Sequence, residues 1–217
     1  MSSVIYRSPA LYELLMRVLY ATHYRSRLRA ISELIEDDCE VVDLCCGPGA
    51  LYRLELRGRG IDYTGLDINP RFVARLQELG ANSIQADVAA RSDLPKGDYL
   101  IMLSSLYQFL PGNREEDSSA SDEGERSARL LVERMLEAAR SRVIIAEPIR
   151  NFAQSRNPVL RRVASRLTNP GTADQPVRFD EQSLDGFFDS FEGSLERCFA
   201  IPGGREKVYV LRGRGQA

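Results

Sequence analysis

A glycine turn preceded by two cysteines is the first feature of this sequence that could carry chemistry. The stretch Val41–Tyr52 reads VVDLCCGPGALY, so Cys45 and Cys46 stand directly before Gly47-Pro48-Gly49. Such a stretch could bind a metal ion, act as a redox pair or form the rim of a cofactor pocket. The four cysteines of the chain match no zinc-ligand spacing, and the adjacent pair lacks the two-residue gap of a redox motif. We therefore expect no metal site, and thiols that pack at a strand end.

The turn itself favours a particular kind of ligand. Gly47 and Gly49 let the backbone approach a ligand that a Cβ atom would block, and Pro48 stiffens the loop. A dinucleotide-binding fingerprint needs a third glycine, but the bulky Tyr52 stands there. A phosphate-binding P-loop is excluded as well, because no Gly-Lys-Ser/Thr follows. The turn thus predicts a ligand without a pyrophosphate, which makes a nicotinamide oxidoreductase the least favoured function.

The elements around the turn alternate between short apolar strands and helices. Apolar runs predict strands at Val41–Cys45, Tyr63–Asp67, Ser83–Ala86, Tyr99–Ser104 and Val143–Ala146. Helical periodicity predicts helices at Leu11–Ile35, with a break near Thr22–His23, and at Ala50–Arg57, Pro70–Leu79 and Ala128–Ala139. This alternation predicts an α/β fold with a parallel sheet covered on both faces. The last two strands, Leu195–Ile201 and Lys207–Leu211, are so close in sequence that they must pair as an antiparallel hairpin.

Several motifs in the same order resemble a known family. Asp43–Gly49 resembles the first motif of class I S-adenosylmethionine-dependent methyltransferases, acidic-x-G-x-G-x-G, with Cys45 in place of the first glycine. The later parts follow at Gly65–Pro70, Gln85–Val88 and Asp98–Ser104. The resemblance covers roughly Val41–Leu211. It implies S-adenosylmethionine as cofactor and a Rossmann-like, seven-stranded, mostly parallel sheet with helices on both faces and an antiparallel C-terminal hairpin.

The resemblance also implies which residues bind the cofactor. Asp67, at the end of the second strand, would accept both ribose hydroxyls, as an acidic residue does in dinucleotide folds. Asp87 would bond the adenine amino group beside the backbone N–H of Val88, and Asp43 would bond either the loop or the cofactor's ammonium group. The whole expected set is Tyr24, Arg25, Asp43, Cys45, Gly47, Gly49, Asp67, Ile68, Asp87, Val88 and Ser104.

Catalytic residues are poorly marked in this class, because methyl transfer depends mainly on alignment and needs a base only if the acceptor loses a proton. The candidates are His23, Tyr107 and Glu147. His23, the only histidine, is either a general base or a partly exposed helix residue. Glu147, after the fifth strand, either faces the acceptor or anchors a loop. The Asn/Asp-Pro-Pro-Tyr motif is missing, which argues against amide and adenine-amino acceptors.

Three segments outside the motifs complete the predicted organisation. Residues 1–38 form an N-terminal helical cap, and residues 39–217 form the core. Within the core, the acidic, serine-rich stretch 113–126 is predicted to be disordered, either as a tolerated insertion or as a flap. The resemblance implies that an insertion at residues 151–180 builds the acceptor pocket; the alternative is that its apolar residues simply pack the domain.

Composition narrows the choice of partner. The formal net charge is −2 and the sequence pI is about 5.6, so nucleic acid is not the expected partner. The arginines at 25, 27 and 29 and those at 161, 162 and 166 are interpreted as solvated helix faces. We see no membrane-spanning run and no signal peptide, and expect a cytoplasmic enzyme. The predicted acceptor is a small molecule or lipid-like metabolite; RNA- or protein-modifying methyltransferases and a non-catalytic adenosyl-binding protein remain alternatives.

Overall fold

A single seven-stranded sheet forms the centre of the protein. The computed structural model describes residues 4–110, 121–150 and 177–215. The strands are β1 Glu40–Leu44, β2 Asp62–Asp67, β3 Asn82–Gln85, β4 Gly97–Leu103, β5 Ala139–Pro148, β6 Leu195–Ala200 and β7 Glu206–Arg212. Each lies where the sequence predicted a strand, and β5 extends further in both directions than its apolar run.

The strand order creates a natural binding edge. The order is β3-β2-β1-β4-β5-β7-β6, with β1 to β5 parallel and β7 antiparallel to both of its neighbours. From β1 the chain moves outward through β2 and β3, then returns to place β4 on the other side of β1. The order therefore reverses between β1 and β4, and in open parallel sheets ligands bind at this point, beyond the carboxyl ends of the strands.

Helices cover both faces of the sheet. They are α1 Pro9–Tyr20, α2 Tyr24–Ser32, α3 Pro70–Glu78, α4 Ser121–Ala138 and α5 Glu181–Asp189. A 3₁₀ turn at Ala21–His23 separates α1 from α2, so the predicted break is confirmed. The helix predicted over Ala50–Arg57 is present, but Tyr52–Leu56 forms a π turn that the sequence did not predict. There the Tyr52 ring packs on Tyr63, with the ring centroids 4.8 Å apart.

Helix α4 corrects part of the predicted disorder. Its first residue is Ser121, so the interpretation of residues 121–126 as an unstructured loop is wrong. Residues 113–120, and residues 151–176 of the predicted acceptor-binding insertion, lie outside the described residues.

Two hydrophobic clusters, one on each face, explain why the strands are apolar on both sides. Alternate residues such as Leu100 and Met102 pack under α4 and α5 in one cluster. Their neighbours Tyr99 and Ile101 pack under α2 in the other. Burial on both faces leaves polar side chains mostly to the strand ends, which is where the candidate site lies. No helix among the described residues is long and apolar enough to cross a membrane.

Candidate functional site

The carboxyl ends of β1 and β4 carry two residues in an unusual backbone conformation. Cys45 has φ 55° and Ser104 has φ 54°, the left-handed region that residues with a Cβ rarely adopt. They follow adjacent strands at the point where the strand order reverses. Strain of this kind collects at functional sites, where the surrounding structure holds it in place.

The glycine turn meets the second strand through one carboxylate. The backbone N–H of Gly47 donates to Asp67 Oδ2 at 2.9 Å, and the N–H of Asn69 donates to Oδ1 at 2.8 Å. Burial raises the pKa of Asp67, and these two hydrogen bonds oppose that rise. Each oxygen keeps a lone-pair direction, so the carboxylate can accept further bonds from two neighbouring hydroxyl groups.

Both glycines of the turn have a structural reason to lack a side chain. Gly49 has φ +76°, and a Cβ atom there would lie 2.4 Å from Leu76 Cδ1 on α3. Gly47 has φ +57°, but its Cβ would meet only Tyr12, at 3.7 Å. Gly49 therefore serves the packing of α3, whereas a Cβ atom at Gly47 would make only ordinary contact with the Tyr12 ring, and the positive φ is what favours glycine there.

Asp43 lies behind the turn rather than in it. It is buried on β1, and the Tyr63 hydroxyl donates to its Oδ2 at 2.6 Å. Burial raises its pKa to about 7, although the bond from Tyr63 acts in the opposite direction. In this structure Asp43 therefore bonds to a neighbouring strand, and contact with a cofactor's ammonium group stays a prediction.

An aromatic cluster from the N-terminal segment covers the turn. Tyr6, Tyr12 and Phe72 pack together, with ring centroids 5.1 to 6.3 Å apart. Asn69, beside Asp67, donates from its side chain to the Tyr6 carbonyl at 2.7 Å. Sequence reasoning missed Tyr6 and Tyr12, because nothing in their local pattern distinguishes them from helix residues that pack on the core.

The remaining residues that are predicted to contact the cofactor follow β2 and β3. Asp87 Oδ1 accepts from the backbone N–H of Ala89 at 3.0 Å, which fixes the loop after β3. Val88 is buried. Ile68, directly after Asp67, is 64% exposed. An apolar side chain so exposed at the edge of a polar site is suited to pack against a flat apolar ligand surface.

A buried ion pair joins α2 to the hairpin beside Ser104. Arg27 contacts both oxygens of Glu206, from Nε at 2.6 Å and from a terminal nitrogen at 2.8 Å. Tyr20 and Ser104 also donate to Glu206 Oε1, at 2.7 and 2.9 Å, and Arg27 donates to Ser104 Oγ at 3.0 Å. The side chain of Ser104, predicted to bind cofactor, therefore belongs to this network.

The network corrects the interpretation of the arginine cluster at 25–29. Arg27 is buried and its guanidinium lies over the Tyr20 ring at 4.2 Å, so it is not part of a solvated face. Burial alone would raise the pKa of Glu206, but the charge of Arg27 and the hydrogen bonds hold it below its ordinary value. The second cluster, at 161–166, lies outside the described residues.

Glu147 and Tyr107 lie together on the other side of Ser104. Glu147 Oε1 accepts from the backbone N–H groups of Ser105 and Leu106, both at 2.6 Å. Tyr107 is buried in the 3₁₀ turn Leu106–Phe109, with the guanidinium of Arg178 over its ring at 4.2 Å. The loop-anchor role considered for Glu147 is thus present, and Arg178 is a residue that sequence reasoning did not single out.

The other predicted residues of the N-terminal cap make contacts elsewhere. His23 is exposed and its ring lies against Gly203 in the hairpin turn, at the edge of a small cleft that also borders Arg27. Arg25 forms an ion pair with Glu55 at 3.6 Å, and its side chain is 72% exposed. Tyr24 is buried in the core. The proposed roles of these three residues remain predictions.

Four carboxyl groups surround the thiol of Cys45. Burial raises its pKa, and the charges of Asp67, Asp43, Asp87 and Glu147 add to the rise. All four cysteines are free. Among the residues that the structure describes, no group of three or more metal-ligating side chains could hold an ion. A thiol in these surroundings stays protonated, which fits the packing role expected of it.

Comparison with known proteins places this arrangement in context. A family model described as "Methionine biosynthesis protein MetW" matches residues 25–108. No sequence among the curated proteins matches the chain.

Solved structures, in contrast, match over most of the length. A chain in the complex of the Haloferax volcanii Trm112 methyltransferase activator with a methyltransferase has a TM-score of 0.65 at 12% identity, covering 98% of this chain and 99% of that one. Human N-acetylserotonin methyltransferase in complex with S-adenosylmethionine has a TM-score of 0.60 at 18% identity, and the match covers 98% of this chain and 58% of that one. A TehB-like S-adenosylmethionine-dependent methyltransferase from Corynebacterium glutamicum has a TM-score of 0.53 at 16% identity, and the match covers 87% of this chain and 88% of that one. The fold is therefore that of the class I methyltransferases.

Proposed function

We propose that this protein is an S-adenosylmethionine-dependent methyltransferase that acts on a small-molecule or lipid-like acceptor. The observation that carries the proposal is the junction of Gly47 and Asp67 at the carboxyl ends of β1 and β2. A turn without a side chain and a buried carboxylate stand side by side, next to the point where the strand order reverses. The shared fold of the solved methyltransferases supports the same assignment.

The residues present fit an adenosyl amino acid. Gly47 presents a backbone surface without a side chain, Asp67 can accept bonds from both ribose hydroxyls, and the exposed Ile68 can pack against adenine. Asp87 would accept a hydrogen bond from the adenine amino group. When bound, the cofactor supplies a methyl group already activated by the positive charge of its sulfur. The task left to the protein is to hold an acceptor atom in line with that methyl.

The acceptor would lie on the β4 and β5 side of the turn. Tyr107 follows β4 and Glu147 lies near the end of β5, whereas the aromatic cluster of Tyr6 and Tyr12 packs beside the glycine turn. Burial raises the pKa of Tyr107, so its hydroxyl stays neutral and can donate a hydrogen bond. A side of this composition suits an acceptor with apolar surface and one or two polar atoms. His23 would act as a base only if the hairpin turn moved.

Binding of S-adenosylhomocysteine, measured by titration calorimetry, tests the cofactor assignment. Wild type should bind, and D67A should lose binding by at least tenfold because the ribose hydroxyls lose their acceptor. D62A is the matched control, since Asp62 is exposed at the opposite end of the same strand. G47A is a second variant, because its Cβ would add bulk to the turn while meeting only the Tyr12 ring in the protein, at 3.7 Å. Absence of heat with wild type would refute the assignment.

Turnover and partner choice need separate measurements. Release of S-adenosylhomocysteine from S-adenosylmethionine with small-molecule extracts as acceptor should distinguish an enzyme from a non-catalytic adenosyl-binding protein. Bulk RNA should bind weakly at physiological salt, as the net charge of −2 suggests. Strong binding of RNA would favour the alternative of an RNA-modifying enzyme. The free cysteines support the expected cytoplasmic location, which fractionation of cells can test.

A further inference from the structure

Glu147 ends β5 with its two carboxyl oxygens in different situations. Oε1 accepts two backbone hydrogen bonds at 2.6 Å, from Ser105 and Leu106. Oε2 is buried and has no hydrogen-bond partner among the described residues, and the residue as a whole is 1% exposed. An ionised oxygen buried in this way would be costly. A proton on Oε2 removes that charge and turns the oxygen into a hydrogen-bond donor.

Burial favours the protonated form of Glu147, whereas the two backbone hydrogen bonds to Oε1 favour the ionised form. On β7, Glu206 raises its pKa, whereas Arg178, which precedes α5, lowers it. Burial is the largest influence, and the pKa of Glu147 lies at about 8. Tyr107 and Cys45 also lie close enough for the charge of Glu147 to raise their pKa values.

The lysine opposite Glu147 is engaged elsewhere. Lys207 pairs with Glu147 in the β5–β7 register, but its ammonium group lies 2.6 Å from Asp185. Arg27, on α2, is bound to Glu206. The cations of the neighbouring strand and helix are therefore committed to other carboxylates.

We propose that Glu147 works as a neutral acid that binds the methyl acceptor. Its Oε1 fixes the turn that carries Tyr107, and its Oε2–H donates a hydrogen bond to the methyl acceptor molecule. The acceptor then needs a lone pair at that position, on a carbonyl, hydroxyl or carboxylate oxygen or on an unprotonated nitrogen. A protonated amine, which has no lone pair, would be disfavoured. The inference rests on the proposed function and adds a class of acceptor to it.

Infrared difference spectra of wild type and E147Q test the protonation state directly. At pH 6 to 7 wild type should show a protonated-carboxyl stretch that E147Q lacks, and the band should fade as the pH rises past about 8. Any band from Asp43 is present in both proteins and therefore cancels when the E147Q spectrum is subtracted. A difference spectrum with only a carboxylate band at pH 6 would overturn the proposal.

The pH profile of methyl transfer provides the functional test. The readout is release of S-adenosylhomocysteine with a panel of phenols, carboxylic acids and primary amines. From pH 7 to pH 9 the wild-type rate should fall about tenfold as the neutral fraction falls, whereas E147Q, which keeps one acceptor and one donor, should have a flat profile. E147A should lower the rate of methyl transfer at least tenfold, and the rate of E147Q should lie much closer to that of wild type.

Three outcomes separate this inference from the proposed function. An E147Q protein that folds but is as inactive as E147A would indicate an ionised base and refute the neutral-acid role. Failure of wild type to bind S-adenosylhomocysteine would refute the proposed function and leave the infrared result on Glu147 standing. If no member of the panel is methylated, the infrared result alone decides the protonation state that the proposal requires.

Discussion

Removal of one partner from the buried Arg27–Glu206 pair should destabilise the protein strongly. Glu206 accepts two hydrogen bonds from Arg27, one from Tyr20 and one from Ser104. R27M removes both charge-assisted bonds, each worth about 1.5 to 3 kcal/mol, and leaves a buried carboxylate with two neutral donors. We expect a loss of about 3 to 5 kcal/mol in the free energy of unfolding. For a protein of this size, that lowers the melting temperature by about 10 °C.

A double-mutant cycle measured by urea unfolding tests this value. R27M/E206M replaces both charges with apolar side chains of similar length, so it should be much more stable than the sum of the single changes predicts. R25M is the matched control on the same helix, because the Arg25 side chain is 72% exposed and its pair with Glu55, at 3.6 Å, is worth less than about 1 kcal/mol. Additive losses, or a loss below about 1 kcal/mol for R27M, would refute the reasoning.

Two further predictions concern the first strand and its turn. C45G should stabilise the protein by about 1 kcal/mol, because glycine adopts φ 55° without the strain that a Cβ brings, and a lower urea midpoint would contradict it. Asp43, with its pKa raised to about 7, binds a proton in the folded state that the unfolded chain has already lost above pH 4. Stability should therefore fall as the pH rises from about 4 to 7, and D43N should flatten this slope by up to about 1.4 kcal/mol per pH unit. Parallel slopes for wild type and D43N would exclude Asp43 as the source.

The strands and the glycine turn could be predicted because their signals are local. The strands β1, β2 and β4 are buried along most of their length, so they appear in the sequence as short, mainly apolar runs ended by polar residues or glycine. The positions of Gly47 and Asp67 can be predicted from the same runs, because the carboxyl ends of parallel strands meet at one edge of the sheet. The relation between these two residues is fixed by topology, and needs no knowledge of side-chain packing.

The contacts that depend on distant partners could not be predicted. Arg27 and Glu206 are 179 residues apart, and each has ordinary neighbours, so the arginine resembled its exposed neighbours in sequence. Tyr12 likewise gives no sign that it will lie over Gly47. The π turn at Tyr52–Leu56 depends on a change of hydrogen-bond register that helical periodicity does not reveal. In all three cases the information lies in tertiary packing.

The position of β7 imposes an order on the way the molecule is made. Glu206 lies on this strand, which is inserted between β5 and β6, and it supplies the charge on which buried Arg27 depends. During synthesis the first helices emerge long before that carboxylate exists. Until the hairpin is translated and has joined the sheet, α2 would have to bury a cation alone, so the nascent chain should leave its amino-terminal helices undocked and available to chaperones.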